Sequence, residues 1–378
     1  SNTMREYELS EVEFLQAQEE VIDVHGAKVL VKKSPKESRP GCLDPHELEI
    51  MKSHWVAREE TDEEKEKKAA MTPAENLQMM RDNMGFPNHN LCMEEIHTRF
   101  ETIQVGGNEV GLWRYYTRKS QRKPGKPCFV FLHGGGWVGG TPYTVENPCR
   151  LLAELADAVV FNVDYSLAPE KKFPNGFDDC FGAVQHIYEH AEEYGIDRNK
   201  IAVGGDSAGG NLTAAIALKD RDLGTHMVAL QVLIYPCVTF LYTGNPGYRF
   251  DINEYEMCEE QKDIVDQLIS IGRPASEDDD RVQMEGMYLT NREAAYHPYV
   301  SPLLALSHKG VARALCVSAE FDGLRLQTEH YGKVLAEDGV PVKTIRYCGV
   351  AHAFIDKLGF VPQAEDLCIE IAKAMKEM

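Results

Sequence analysis

The chain has 378 residues, 43% hydrophobic and 26% charged, ordinary proportions for a globular protein and unlike those of a disordered or low-complexity chain. Its 40 basic and 60 acidic side chains leave a formal charge of −20, which repels phosphate backbones and anionic lipid and so disfavours nucleic-acid and membrane-surface partners. The length allows two domains, or one large domain with an insertion.

No run approaches the roughly 20 consecutive apolar residues that span a bilayer. Ser1–Asn2–Thr3 ahead of Met4 reads as foreign to the natural chain; the residues from Met4 onward lack the basic, apolar and small-residue stages of a secretory signal. The ten cysteines show no C-x-x-C pair and no metal-ligand spacing. Cys128, Cys237, Cys316 and Cys348 sit in strand-like runs, where a free thiol behaves as a small apolar side chain. The expectation is a reduced, cytoplasmic compartment, free thiols, and neither metal nor cofactor.

Residues 1–93 read as helical and carry no evident chemistry. Ser10 and Glu13 have capping-box spacing, with Gly26 as a stop. Asp44–Pro45–His46–Glu47 supplies an N-cap, a proline at the first helical position and an early acid; Thr72–Pro73–Ala74–Glu75 repeats that grammar, with Gly85 as its end. Residues 59–68 form a dense charge run, with Glu63 before Lys67 and Glu64 before Lys68 in the favourable i,i+4 order of a solvated helix face.

From Glu94 the texture changes. Residues 96–105 and 109–117 read as strands joined across Gly106–Gly107–Asn108. Strands are then expected at 128–132, 158–163, 201–203, 227–235, 314–318 and 342–347, with helices near 145–156, 177–194, 208–220, 325–338 and 363–377. Short apolar strands alternating with helices predict an α/β fold, a mostly parallel sheet with helices on both faces. Residues 241–296 interrupt the alternation. They are too long for an ordinary connection and read as an insertion over the strand ends, where open α/β sheets bind ligands. The predicted organisation is a helical region at 1–93, a core at 94–240 and 297–378, and the insertion at 241–296.

Gly205–Asp206–Ser207–Ala208–Gly209 is a G-x-S-x-G pentapeptide between a strand-like and a helix-like run. A sharp strand-to-helix turn needs small residues beside the serine, and it lifts the Ser207 hydroxyl above the sheet edge at a helix N-terminus, which favours developing negative charge. Asp206 inside that turn suits a structural hydrogen bond better than catalysis. His133–Gly134–Gly135–Gly136–Trp137 closes the strand at 128–132. Its glycines leave backbone N–H groups uncovered, as an oxyanion requires. A phosphate loop is the poorer reading, because neither G-x-G-x-x-G nor a terminal Gly-Lys-Ser/Thr is present.

An activated serine needs a base, and the base needs an acid to orient it. Among 13 histidines, His352 lies just beyond the strand at 342–347, and Asp322 lies just beyond the strand at 314–318. Both fall at strand C-terminal ends, the edge Ser207 occupies, in the order serine, acid, histidine. Trp137, Tyr143 and the Tyr and Met side chains of 242–288 are candidates to line a substrate pocket, or equally to form the core of the insertion.

With H-G-G-G at 133–136 upstream of G-D-S-A-G at 205–209, the sequence resembles the hormone-sensitive-lipase-like family of α/β-hydrolases, which are serine carboxylesterases. Asp164–Tyr165–Ser166–Leu167–Ala168–Pro169–Glu170 is similar to the family's D-Y-R-L-A-P-E, and Ser301–Pro302–Leu303–Leu304–Ala305 to a segment after its cap. The likeness covers about residues 110–378. It implies Ser207 as nucleophile, His352 as general base and then acid, Asp322 as orienting carboxylate, and Gly135, Gly136 and Ala208 as oxyanion N–H donors. It also implies that 1–93 and 241–296 together cap the site. Pairing through an edge strand or terminal helix occurs in the family, so a homodimer is compatible, and nothing in the sequence decides it.

Three departures from the family pattern involve four positions. Gly323 and Leu326 replace residues of D-P-L-R-D-E, which predicts a more mobile Asp322 loop; Ala353 replaces the glycine after the histidine; Ser166 replaces an arginine, removing an ion pair. The expected activity is two-step hydrolysis of small carboxylic esters with short-to-medium acyl chains. The alternatives are an amidase or peptidase on the same scaffold, or a small-ligand receptor of this fold, as in the plant gibberellin receptors, which resemble the family but lack the histidine.

Overall fold

The computed structural model describes residues 4–54 and 60–378, so Glu59 of the charge run lies outside the described residues. Ten strands follow in chain order: β1 (Val21–Val24), β2 (Ala27–Lys32), β3 (Ile96–Val105), β4 (Asn108–Thr117), β5 (Lys126–Leu132), β6 (Val159–Asp164), β7 (Ile196–Asp206), β8 (Leu230–Ile234), β9 (Arg313–Phe321) and β10 (Val342–Ala351). They form one sheet in the order β1-β2-β10-β9-β8-β7-β5-β6-β4-β3. From β2 across to β6 every pairing is parallel; β1 with β2, β3 with β4, and β4 with β6 are antiparallel.

The helices are α1 (Leu9–Gln16), α2 (Pro45–His54), α3 (Asp62–Ala70), α4 (Pro73–Asp82), α5 (Glu146–Ala156), α6 (Asn175–Glu189), α7 (Ala208–Leu223), α8 (Lys262–Leu268), α9 (Arg325–Glu337) and α10 (Pro362–Lys376). Phe129, Val130, Phe131 and Leu132 of β5 are all fully buried. Val130 and Leu132 pack towards α6 and α7, Phe129 and Phe131 towards α5 and α10. Strand side chains alternate between faces, so only a sheet covered on both sides can bury such an uninterrupted apolar run, each large side chain contributing about 1.5–3 kcal/mol. The predicted α/β architecture is the one observed.

The N-terminal region departs from the helical expectation. Residues 21–32 are not helical: β1 and β2 form a hairpin that extends the sheet beyond β10, with Leu30 opposite Ile345. Gly26, expected to stop a helix, is the hairpin turn at φ +92°. Ala27, Val29 and Val31 face inward at alternate positions, the period-two signal of a strand. Buried Lys32 anchors the hairpin, its Nζ 2.6 Å from Asp366 Oδ2 and 2.8 Å from Glu370 Oε1 on α10. Helix α1 is capped by Glu8 and Glu11 rather than Ser10 and Glu13, whereas α4 has the expected N-cap at Thr72 with Pro73 at its first position, and Glu75 completes a capping box there. Lys68 pairs with Glu60 instead of Glu64.

Cys42 and Cys258 are joined in a disulfide, Cα–Cα 5.4 Å, which overturns the expectation that every thiol is free. It ties the N-terminal segment to the insertion across 216 residues of sequence, a pairing no local spacing could announce. The other eight cysteines are free, Cys128, Cys237 and Cys316 among the buried ones. Cysteine usage therefore no longer argues for a reduced compartment by itself. Among the described residues, no helix is long and apolar enough to cross a membrane.

The insertion between β8 and β9 holds α8 and short helical turns. It reaches the sheet's C-terminal edge, where the Tyr255 hydroxyl donates to the Asp322 carbonyl oxygen at 2.6 Å.

Candidate active site

Strand β7 ends at Asp206 and α7 begins at Ala208, leaving Ser207 alone at the turn with φ 57° and ψ −114°. That region is sparsely populated by side-chain-bearing residues, and it aims the hydroxyl out of the sheet. The turn is tight because α7 starts directly against β5. A β-carbon on Gly209 would stand 1.8 Å from the Leu132 carbonyl oxygen. The Ser207 N–H donates to the Ile234 carbonyl at 2.8 Å, pinning the turn to the neighbouring strand.

His352 lies one residue past β10 and Asp322 one past β9, on the edge predicted for them. His352 Nε2 is 2.8 Å from Ser207 Oγ, and its Nδ1 is 2.6 Å from Asp322 Oδ2. The tautomer that satisfies both contacts donates Nδ1–H to the carboxylate and accepts the serine proton at Nε2. Asp322 is fully buried, and its other oxygen accepts the Leu324 N–H at 2.9 Å. Burial works against an imidazolium at 352. The Asp322 charge and hydrogen bond, with a contribution from Asp206, outweigh it and hold His352 above its ordinary pKa. The Tyr235 ring backs the imidazole at 4.7 Å between centroids.

The glycine loop folds beside this line. Asp206 Oδ1 accepts the Gly134 N–H at 3.0 Å, the structural hydrogen bond expected of it. Burial raises the Asp206 carboxyl to about 6, against the opposing Gly134 hydrogen bond and the charge of His352. Gly135 takes φ +136°, and its carbonyl accepts from Val138 at 3.2 Å and Gly139 at 2.9 Å, closing a turn. His133 is buried under Tyr165, 4.5 Å between ring centroids; burial lowers it to about 4 despite its hydrogen bond to the Gly134 carbonyl, so it stays neutral. Among the described residues, the N–H groups of Gly135, Gly136 and Ala208 donate to no protein acceptor.

Trp137 is 7% exposed, stacked on Tyr288 at 5.1 Å, with its Nε1–H donating to Asn211 Oδ1 at 3.2 Å. Tyr143 is 64% exposed and packs on Trp113, so it lies in a surface aromatic cluster. Asn211, one turn past Ser207 on α7, also donates to the Cys237 and Val300 carbonyls at 2.9 Å each. Asn211 and Tyr235 carry no sequence signal beyond the helical spacing of Asn211 from Ser207, and Tyr255 stands out only as one of the Tyr and Met side chains of 242–288. Among the described residues, the one cluster of three possible metal ligands is Cys42, Cys258 and Glu260, and its two sulfurs are bonded to each other.

This arrangement can move a proton from a hydroxyl to an imidazole, hold the resulting cation beside a buried carboxylate, and offer N–H groups to an alkoxide.

A family profile described as alpha/beta hydrolase fold matches residues 129–356. The chain is 36% identical over 249 residues to an arylesterase of Saccharolobus solfataricus, covering 66% of this chain and 74% of that one. It is 32% identical over 281 residues to the esterase LipI of Mycobacterium tuberculosis, covering 73% and 82%. An ethyl acetate hydrolase of Pseudomonas putida shares 31% over 260 residues, covering 66% and 73%. Among solved structures, the metagenomic carboxylesterase EstE1 superposes with TM-score 0.66 at 31% identity, covering 82% of this chain and 98% of that chain. The Pyrobaculum calidifontis esterase does so with TM-score 0.65 at 31% identity, covering 89% and 99%.

Proposed function

The chain belongs to the α/β-hydrolase family and is a carboxylic ester hydrolase of its hormone-sensitive-lipase-like branch, and from that premise we propose that it works through an acyl-enzyme on Ser207. The observation that carries the proposal is the unbroken line Ser207 Oγ, His352 Nε2, His352 Nδ1, Asp322 Oδ2, with contacts of 2.8 Å and 2.6 Å.

In this reading Ser207 Oγ attacks the ester carbonyl carbon as its proton passes to His352 Nε2. The carbonyl π electrons move to oxygen, and the alkoxide is received by the N–H groups of Gly135, Gly136 and Ala208. Collapse of the tetrahedral intermediate breaks the bond to the leaving alcohol, which takes the proton from His352. Water then repeats the sequence on the acyl-enzyme and releases the acid. The Asp322 carboxylate orients the imidazole and stabilises its cation. Trp137, stacked with Tyr288, forms an aromatic wall beside the glycine loop.

The proposed substrates are small esters with short-to-medium acyl chains, in accord with relatives named as an arylesterase and an ethyl acetate hydrolase. The N-terminal segment beyond the β1–β2 hairpin, to residue 93, acts together with 241–296 as the cap, for which the Cys42–Cys258 link between them speaks, while 21–32 belong to the sheet. A cytoplasmic location goes with this reading through the buried free thiols, while the one disulfide speaks against it. A homodimer would use β1 or β3, the two outer strands of the sheet.

The test is Ser207→Ala assayed on p-nitrophenyl esters of rising chain length and on matched anilides. Loss of ester turnover with an unchanged melting temperature is the expected result. Near wild-type rates would refute the proposal, and faster anilide than ester cleavage would favour an amidase. Against the receptor alternative speaks the presence of His352, whose Nε2 is 2.8 Å from Ser207 Oγ.

A further inference from the structure

Helix α4 ends against the back of the glycine loop. A β-carbon on Gly139 would stand 2.4 Å from Met84 Sδ and 3.3 Å from Arg81 Cγ, so the helix end lies directly on that backbone. Arg81 reaches further. Its Nε donates to the Val138 carbonyl at 2.6 Å and its Nη2 to the Ala168 carbonyl at 3.0 Å. The guanidinium also grips both oxygens of Glu170, at 2.8 Å and 2.7 Å. Val138 belongs to the turn that closes on the Gly135 carbonyl, and the Ala168 N–H donates to the Trp137 carbonyl at 2.9 Å. One planar fork thus joins the loop holding Gly135 and Gly136 to the loop at 166–170.

We propose that Arg81 is a positioning residue for the oxyanion donors, supplied by the N-terminal segment to an arginine-less Ser166 position. The inference rests on the Ser207 reading and adds a residue that touches no reacting atom. Ser166, Arg81, Glu170 and Gly139 line one open cleft of about 490 Å³, so the guanidinium occupies the neighbourhood that a side chain at 166 would reach. An exposed ion pair contributes little by itself, and Glu170 is 61% exposed in its side chain. What the pair does is fix the orientation of the planar fork, so that two further N–H groups meet two main-chain carbonyls. A lysine, with one compact charge, cannot make that set of contacts. The Gly135 turn lies between Arg81 and the proposed oxyanion, so displacing Val138 rotates the N–H groups that the transition state needs more than the ground state does.

The experiment compares wild type, Arg81→Ala, Arg81→Lys, Glu170→Gln, and Arg81→Ala combined with Ser166→Arg, all as the full chain. Rates on a p-nitrophenyl ester are expressed per active site titrated with an organophosphonate. Since losing one oxyanion donor costs about 10²–10³-fold, displacing donors in Arg81→Ala should lower kcat by about 10–100-fold with KM within about threefold. Affinity for a trifluoromethyl ketone, which forms an alkoxide on the serine, should fall by the same factor as kcat/KM. Lysine should not restore the rate, whereas added guanidinium or the Ser166→Arg partner should recover part of it. Wild-type kcat per titrated site in Arg81→Ala, or a loss seen only as fewer titratable sites, overturns the inference. Should Arg81→Ala not fold, Glu170→Gln decides: a lower kcat with parallel loss of ketone affinity supports the role, and wild-type behaviour refutes it. Ser207→Ala run alongside separates the two readings. If it is dead while Arg81→Ala is unaffected, only this inference falls; if it is active, the Ser207 reading falls.

Discussion

Gly323 passes so closely beneath Ile271 that a β-carbon at 323 would stand 1.8 Å from the Ile271 carbonyl oxygen. Residue 323 follows the acid of the proposed triad, and 271 lies in the insertion, so the two are pressed together at the edge of the site. Tyr255, also of the insertion, donates to the Asp322 carbonyl, and the Arg325 guanidinium lies over its ring at 4.2 Å. The departure from D-P-L therefore does not loosen this loop. A proline at 323, like any residue with a β-carbon, would meet the Ile271 carbonyl, and the same crossing braces Asp322.

Gly323→Ala should accordingly lower stability by about 1–3 kcal/mol through overpacking and depress kcat as Asp322 shifts. Thermal unfolding and steady-state rates measure both. A variant as stable and as fast as wild type would show that the insertion does not press on the acid loop.

The pH profile is set by His352. The neutral imidazole is the base, so kcat/KM should fall as pH drops through its pKa, which stands above the ordinary value of about 6.5. Asp322→Asn removes the charge and the charged hydrogen bond that raise this pKa while burial, which lowers it, remains. The acid limb should then move to lower pH, and kcat should fall by about 10⁴-fold as the imidazole loses its orientation. An acid limb that stays in place would mean that another group controls the profile.

Ala353 sits at φ +71°, ψ 21°, in left-handed backbone, directly after the proposed base. An L side chain there costs about 1–2 kcal/mol relative to glycine. Ala353→Gly should raise the urea midpoint by an amount worth about 1 kcal/mol, with little change in kcat. No stabilisation would show that packing around the methyl offsets the backbone cost.

Gly135→Ala meets two obstacles: φ +136°, and a β-carbon only 2.1 Å from the Gly139 carbonyl oxygen. The turn must open, so kcat should drop by about 10²–10³-fold, the usual cost of one oxyanion donor, with a smaller change in KM. A loss confined to KM would place the oxyanion donors elsewhere.

Much of the fold is legible because both faces of a parallel sheet are buried. Runs such as Cys128–Leu132, inside β5, admit little besides apolar residues and stand out in the sequence. The β1–β2 hairpin escapes notice because its short alternation at 27–31 sits within a stretch of helix signals, and its partner β10 lies about 315 residues away in the chain. Ser207, Asp322 and His352 are found because each comes after a strand whose apolar run announces it. Tyr255, which braces Asp322, and Arg81, which bonds to the Val138 and Ala168 carbonyls, carry no local mark, since a hydrogen bond to a main-chain carbonyl demands nothing of the residue that owns it.

From sequence alone came the layered α/β scaffold, the sharp serine turn, the glycine loop and the order of serine, acid and base, because each is a short-range requirement: backbone that bends tightly or strands that must be dry. Tertiary structure alone decided that Cys42 meets Cys258, that Arg81 stands at the cleft beside Ser166, and that the insertion crosses Gly323 rather than leaving its loop free. Those are contacts between segments distant in sequence, and their partners are chosen by how the packed chain brings surfaces together, information that no window of neighbouring residues contains.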